Sequence, residues 1–575
     1  MKFIGKLLLF VIIVLLLVVV AAYFLLQTRW GATQTSHWIS ANSDYQLTFE
    51  AMDHSLSSPS HLKLHNVNFG RKGQPATLVA KYVDIGLSSR QFTDPLHTDT
   101  ILLQDGTLNL SPATAPLPFK ADRLQLRNMA FNSPATGWDL SAQRVTGGVS
   151  PWQPVAGNVL GNQAQIQMSA GSLTLNGVPA SNVLIQGSID KNTVTLTTIG
   201  ADMARGSLTG NARRNADGGW VVDNLRLNEI RLQSDKSLGD FFAPLTTLPS
   251  LKIGRLDVTD ARLQGPEWAV TDLDLTLRNL TLANGDWQTD DGKLSMNAAE
   301  FIYGSLHFFD PILNADFTPQ GIALSQFTTR WENGMVRTSG YWARNGQTLV
   351  LNDAAIVGLE YTLPDNWKQT WMKPLPGWLN SVILKKFSAS RNLVIDIDPT
   401  FPWQLTALDG YGSNLQLARN HQWGVWNGDA KLNAAAATFN RVDLRRPSLG
   451  FSANGSTVNI TELSAFTGKG MLEATGVVAQ TPERSVNISL NGRGVPVNVL
   501  QEWGWPALPI SGDGNLQLSV SGRVQADAPL KPTVNGELQA FNAQRQQVKQ
   551  RMQGGVVSTE AAPSAPQPEP ESAAP

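Results

Sequence analysis

The 575-residue sequence contains no cysteine. That absence removes disulfides, thiolate nucleophiles and cysteine-ligated metal sites together, and it fits an exported bacterial chain without requiring one. Charge is also scarce. Asp, Glu, Lys and Arg make up 16% of the chain, against about 25% in ordinary soluble domains. The 45 basic and 46 acidic residues nearly cancel. No basic block stands out, so nucleic acid is not an expected partner. Seven scattered histidines leave no triad to test, and no G-x-S-x-G occurs. The glycine-rich stretch Gly468–Gly476 lacks the placement of lysine and Ser/Thr that a phosphate loop needs.

Two side-chain pairs resemble the start of a site. His61 and His65 lie four apart on one strand face, as metal ligands would, but no third ligand sits at metal spacing nearby. Asp396 and Asp398 share a strand face in the manner of paired carboxylates for acid–base work. Both pairs are read as decoration of a solvated face. No catalytic, cofactor-binding or metal-binding residue is expected, and the chain is read as a non-enzyme.

What is present begins with Leu7 to Leu26, twenty residues without a charge or an amide and with Tyr23 as the sole hydroxyl. About 20 apolar residues in a helix match a hydrocarbon core of about 30 Å. Lys2 and Lys6 precede the stretch and Arg29 follows it, which keeps the N-terminus in the cytoplasm and exports the remainder. The rival reading is a signal peptide cleaved near Val20-Ala21-Ala22. An apolar run continuing through Leu26 is longer than the usual h-region of about 7–15 residues. Residues 28–42 are expected to form a short helix. Trp30 and Trp38 would sit either at the membrane interface or in a core.

From Tyr45 to about Ala540 short stretches alternate apolar and polar residues between Gly, Asn, Asp and Pro, the pattern of strands with one wet face. One octapeptide pattern recurs, with apolar residues at places 1, 3, 6 and 8 and Asn at place 4 or 5. It occurs at Leu62, Leu64, Val67 and Phe69, and again at Leu124, Leu126, Met129 and Phe131. It returns at Leu225, Leu227, Ile230 and Leu232, and at Leu275, Leu277, Leu280 and Leu282. One extra residue in mid-strand keeps all four apolar positions on one face, which is what a β-bulge does. These residues are the candidate lining of an apolar groove. Thr276, Arg278 and Thr281 are expected to face outward. Helical pieces are expected at Lys236–Phe242, Asp365–Lys373, Gly377–Leu384 and Val497–Trp503, as caps or elbows of the sheet. Residues 544–575 read as a disordered Pro/Ala/Glu/Gln-rich tail.

The order of motifs from Ser43 to Leu110, a short strand, the Leu-Lys-Leu-His-Asn-Val strand, a Gly-Gln-Pro-Ala turn, a strand, and then Leu103-Gln104-Asp105-Gly106-Thr107-Leu108-Asn109-Leu110, resembles the opening of the AsmA-like proteins of Gram-negative inner membranes. Gly492–Gly522 is similar to the second signature of that family. The resemblance implies an inner-membrane anchor (residues 1–27) and a periplasmic body (28–543). That body would be mainly β: a long curled, groove-forming sheet of chorein-like kind with a few short helices. It implies phospholipid acyl chains and the inner membrane as partners, and phospholipid transport or outer-membrane homeostasis as function. The alternative it carries is a factor regulating outer-membrane protein assembly and targeting, with outer-membrane or envelope proteins as partners. No cofactor is implied.

Overall fold

The computed structural model describes residues 2–109, 117–135, 138–155, 160–175, 177–480, 484–524 and 528–559. The chain is mainly β, with four α-helices among the described residues. Helix α1 (Lys2–Leu26) is the apolar stretch, and its residues from Leu9 onward are unburied, as a membrane span requires. Helix α2 (Arg29–Asn42) follows after a tight corner. The Thr28 hydroxyl accepts from Gly31 N at 3.2 Å and caps α2. A Cβ on Gly31 would lie 2.4 Å from the Leu25 carbonyl oxygen, so only glycine permits this approach of α2 to the end of α1.

The contacts divide the chain into two compact units, residues 1–292 and 293–575, each built on β-sheet. Most neighbouring strands are antiparallel. Among the described residues, parallel pairing occurs at three places: His97–Asn109 with Lys120–Ala135, Trp220–Asn228 and Arg231–Gln233 with Ser250–Gln264, and Thr348–Val357 and Glu360–Thr362 with Ser381–Asp396. A parallel pair needs a crossover. The second crossover carries α3 (Leu238–Thr246), and the third carries α4 (Trp367–Met372). Ser237 caps α3 by accepting from Asp240 N at 3.2 Å. Trp268 then pins the helix, donating Nε1–H to the Lys236 carbonyl at 3.0 Å and packing its ring 5.3 Å from Phe241.

The fifth place of every octapeptide has left-handed backbone: Asn66 φ 51°, Asn128 φ 53°, Glu229 φ 55° and Asn279 φ 55°. Asn tolerates this region better than most residues. At Asn128 the pairing with the next strand shifts register, whereas at Asn66 and Asn279 it runs through unshifted, from His65 with Tyr82 to Val67 with Ala80 and from Arg278 with Arg255 to Leu280 with Ile253, so the partner strand changes phase together with the left-handed residue. In the parallel pairs the bulges match. Asp105 (φ 53°) lies beside Asn128, and Asp260 (φ 48°) beside Glu229, so pairing resumes in the same register after each. The Asn128 amide donates to Asp105 Oδ1 at 2.6 Å and holds the Asp105 carboxyl below its usual range. Arg231 bridges to Asp260 at 2.7 Å.

Four local expectations are corrected. The helix expected at Lys236–Phe242 starts at Leu238 and runs through Pro244 to Thr246. Gly377–Leu384 is not helical: a turn gives way at Ser381 to a long strand, because Val382 and Leu384 must face inward as alternating positions. Val497–Trp503 holds a 3₁₀ turn, Val499–Trp503. The assigned tail starts too early, since Gln547–Gln553 and Val556–Thr559 are strands paired in succession to Asn535–Asn542. Their inward positions are Val548, Gln550 and Met552, all buried. Gln550 looks wrong for a strand interior in sequence, but its Oε1 accepts from Trp505 Nε1 at 2.8 Å. Residues 560–575 lie outside the described residues.

The bulge argument gives the first prediction. A β-branched side chain in left-handed backbone costs about 1–2 kcal/mol, so Asn279→Val should lower the urea midpoint of the full chain, whereas Asn279→Gly should leave it within error. Equal midpoints for the two variants would exclude the backbone explanation.

Candidate functional site: an apolar track across the strands

The pairing aligns apolar positions of successive strands into rows. One row runs from Met52 through Leu64, Val83, Leu103 and Leu126. It continues through Gly147, Met168, Ile185 and Ile199 and ends, within residues 1–292, at Gly210, Leu225, Leu256 and Leu277. None of these positions carries a polar side chain. Twelve strand-to-strand steps of about 4.8 Å make a track of about 58 Å. Leu62, Ile85, Ile101, Leu124, Val149 and Ile166 form a second row beside it. Beyond the bulge, Phe69, Leu78, Leu108 and Phe131 form another.

All sixteen residues singled out in the octapeptides lie on buried or half-buried positions. Leu64, Val67, Phe69, Leu124, Leu126, Met129 and Ile230 are buried. Leu62, Phe131, Leu225, Leu227, Leu232, Leu275, Leu277, Leu280 and Leu282 are half-buried. Registry separates the faces cleanly: Leu277 lies opposite Leu256 and Leu280 opposite Ile253, while Thr276 lies opposite Asp257, Arg278 opposite Arg255 and Thr281 opposite Lys252. The Thr276 hydroxyl donates to Asp257 Oδ1 at 3.1 Å on the polar side.

Cover over the track is uneven. Near the N-terminus one hydrophobic cluster joins Ala32 of α2 to strand residues as far along as Val183, with Trp152 buried in it. Inside it a cavity of about 270 Å³ is lined by Thr35 and Ile39 of α2 and by Leu64, Val83, Leu103 and Phe119. Ile185 and Ala201 still pack against this cluster; farther on, the row positions Ile199, Leu225, Leu256 and Leu277 are half-buried, beside buried Ile230, Ile253 and Val258. The first strands therefore enclose a core, and the row on the later strands is partly exposed. A larger depression of about 860 Å³ has a mixed lining, with Arg123, Gln125 and Arg127 beside Leu102, Ile166 and Leu184.

Residues 293–575 carry a row of their own, through Ala315, Leu324, Gly340, Leu351, Leu384 and Leu415. Leu415 packs with Ala430 across a register shift. From there the row passes through Phe451, Ile460, Gly476, Ile488, Val520, Gly536 and Met552. Early in this unit the face is aromatic. Phe308 lies 6.2 Å from Phe327 and 6.3 Å from Trp331, and Trp331 lies 4.9 Å from Tyr361. These rings are half-buried, and Trp331 Nε1 is buried without a protein acceptor. At the other end, Val495, Val497, Leu500, Trp505, Leu508 and Ile510 are buried against Leu516, Leu538 and Ala540 and close the face. Sequence reasoning missed this second row, because Ala315, Gly340, Ala430, Gly476 and Gly536 interrupt its larger apolar members.

The chain is similar to known proteins in two comparisons. The sequence model of the AsmA family matches residues 246–544. The chain is 71% identical over 559 residues to the AsmA family protein YicH of Escherichia coli (strain K12), covering 97% of this chain and 98% of that protein. The chain belongs to the AsmA family. Within this AsmA-family chain the signature Gly492–Gly522 falls inside the matched residues, on the strands and turn that close the second row. Leu225, Leu227, Ile230 and Leu232 precede the matched residues, and Leu275, Leu277, Leu280 and Leu282 fall within them.

The pairs considered for chemistry are separated or tied into structure. His61 Nδ1 lies 2.8 Å from Asp84 Oδ1, and His65 Nε2 lies 2.7 Å from Asp53 Oδ2, so each histidine has its own carboxylate. Among the described residues no group of three or more His, Asp or Glu side chains gathers as a metal site. Asp396 corrects the expectation of a solvated face, being only 4% exposed. It accepts from Trp367 Nε1 at 3.0 Å and from Asp398 N at 3.1 Å, anchoring α4 to the end of its strand. Asp398 accepts from the Thr400 hydroxyl at 2.6 Å and backbone N at 2.9 Å, and from Lys368 at 3.2 Å. These bonds, that of the Thr400 side chain foremost, hold its carboxyl down at about 2.

A lowered carboxyl pKa contributes stability that is fully present above the unfolded value and is lost as pH falls through the folded one. For Asp398 that window runs from 3.8 down to about 2. NMR titration should place the Asp398 carboxyl near the bottom of this window, and Thr400→Ala should move it toward the top. An unmoved midpoint in Thr400→Ala would contradict the assigned cause.

Proposed function

We propose that this AsmA-family chain is a non-enzymatic, inner-membrane-anchored envelope protein whose apolar track holds phospholipid acyl chains and lets them move toward the outer membrane. The observation that carries this reading is the unbroken apolar row from Met52 to Leu277, half-buried from Ile185 onward. An acyl chain gains about 0.8 kcal/mol for each methylene it hides from water, so a ligand that slides needs apolar surface at every step. Half-buried leucines on a continuous row supply that surface, and polar partners on the other face stay wet. The excess of Lys2 and Lys6 over Arg29 supports a cytoplasmic N-terminus and a periplasmic body. A factor for outer-membrane protein assembly is the second reading, in which the same apolar face holds unfolded strands in place of lipid.

Photo-crosslinking separates the two. A photoreactive amino acid at Leu277 of the full chain should capture phospholipid in cells, and the same group at Arg278 should not. Capture of unfolded outer-membrane proteins at Leu277, with no lipid, would overturn the lipid reading. A single charge tests the track itself. An unpaired carboxylate in a dry core costs several kcal/mol, but at half-buried Leu277 it reaches water. Leu277→Asp should therefore keep near-normal abundance while losing lipid capture at Leu256. Arg278→Gln should change neither. Thr276→Asp, at first sight the natural outward control, is unsuitable because it would face Asp257.

A further inference from the structure

Several exposed apolar side chains near α1 play no part in the track. We propose that the strand ends beside α1 form a rim that dips into the bilayer α1 spans, with Leu56 and Phe92 as the inserted side chains. The inference rests on α1 being a membrane anchor.

The argument starts at Tyr23, which lies inside the apolar stretch, three residues or about 4.5 Å of helix before Leu26. Its hydroxyl donates to the His54 carbonyl at 3.0 Å and lies 2.9 Å from His54 Nδ1. The hairpin carrying His54 is thus held beside the last turn of the span, not beyond it. Two residues on, Leu56 occupies the hairpin tip and is 79% exposed. The strand that follows, Ser58–Arg71, places His61 opposite Gly86, so the 87–96 loop leaves the sheet at the same edge. Phe92, on the 3₁₀ turn Ser89–Phe92 of that loop, is 91% exposed. Large apolar side chains at two adjacent loop tips are costly in water and favourable at a headgroup boundary.

The polar groups behind the tips suit that depth. Arg90 pairs with Asp122 at 2.7 Å, and His97 Nε2 lies 2.9 Å from the same carboxylate, so charge lies just behind Phe92. Trp30, 61% exposed and four residues past Leu26, takes the place a tryptophan favours at the interface. Trp38 is 67% exposed as well, which excludes the core alternative for both tryptophans. The joint is also stiff. Gly31 packs on Leu25 and Leu26, and Arg29 pairs with Glu50 at 2.7 Å. The span therefore sets the tilt of the first strands, and the rim fixes where the enclosed end of the track meets the membrane. A bilayer is the favoured occupant because the rim is continuous with the helix that crosses it.

Because the natural chain has no cysteine, each introduced thiol is unique. Leu56→Cys, Phe92→Cys and Val79→Cys are labelled with an environment-sensitive fluorophore. Val79 is exposed near the opposite end of a neighbouring strand. The full chain is reconstituted in phosphatidylethanolamine–phosphatidylglycerol nanodiscs with and without brominated acyl chains. The probes at 56 and 92 should emit to the blue of the probe at 79 and lose most of their emission to bromine, while the probe at 79 should not respond. A chain that stays out of the disc overturns the anchor and the rim with it. A chain that enters, with probes at 56 and 92 matching 79, overturns the rim alone. Blue emission without bromine quenching assigns the patch to a protein partner and also refutes it.

Discussion

The constraint on which the rest depends is the phase of side-chain alternation in long strands. A strand has a period of two, so inserting one residue turns every later side chain to the other face. In this protein the insertion is compensated at once by left-handed backbone. Asn66, Asn128, Glu229 and Asn279 each stand between inward positions three apart, and their left-handed backbone keeps the apolar positions on either side on one face. Matched bulges at Asp105 with Asn128, and at Glu229 with Asp260, carry the correction across parallel pairs, where a mismatch would break the row.

Once phase is kept, registry does the remainder. Leucines that look unremarkable within their own strands become members of rows because backbone pairing sets them side by side. The polar face is organised by the same registry. Thr276 meets Asp257, and Asn128 meets Asp105 across the bulge. The Asn128–Asp105 pair is exposed and worth little by itself, and the Thr276–Asp257 pair is half-buried. They suit the water side of a sheet whose other side is apolar.

Cover divides the apolar face into regions of different exposure. Where α2, Phe119 and Trp152 lie over the first strands, the face is a stabilising core. Where Val495–Ile510 folds back over the last strands, the same holds. Between these, within each unit, half-buried Leu and aromatic residues leave apolar surface in reach of a guest. Stability is concentrated at covered strands, and the surface suited to a guest at uncovered ones. Bulge and cover together explain why so apolar a chain can fold with so little charge.

The α1 span, the β character of the body and the four changes of strand phase were legible in sequence, since each rests on local chemistry: twenty apolar residues, period-two alternation, and apolar pairs set three apart around a left-handed residue that is Asn in three cases and Glu229 in the fourth. The helical pieces were legible as breaks, but their limits were not. Pro244 inside α3 and the strand that begins at Ser381 depend on what packs against them. The last strands stayed hidden because Gln550 reads as solvent-facing until Trp505, forty-five positions away, supplies its hydrogen bond. The second apolar row was hidden because its members, often Gly or Ala, acquire meaning only beside their partners. Whether Leu64 and Leu277, alike in sequence, sit in a core or on an open face was decided by tertiary structure alone. Exposure is set by α2 and other distant segments that lie over one strand and not another, and no local pattern records where a distant segment comes to rest.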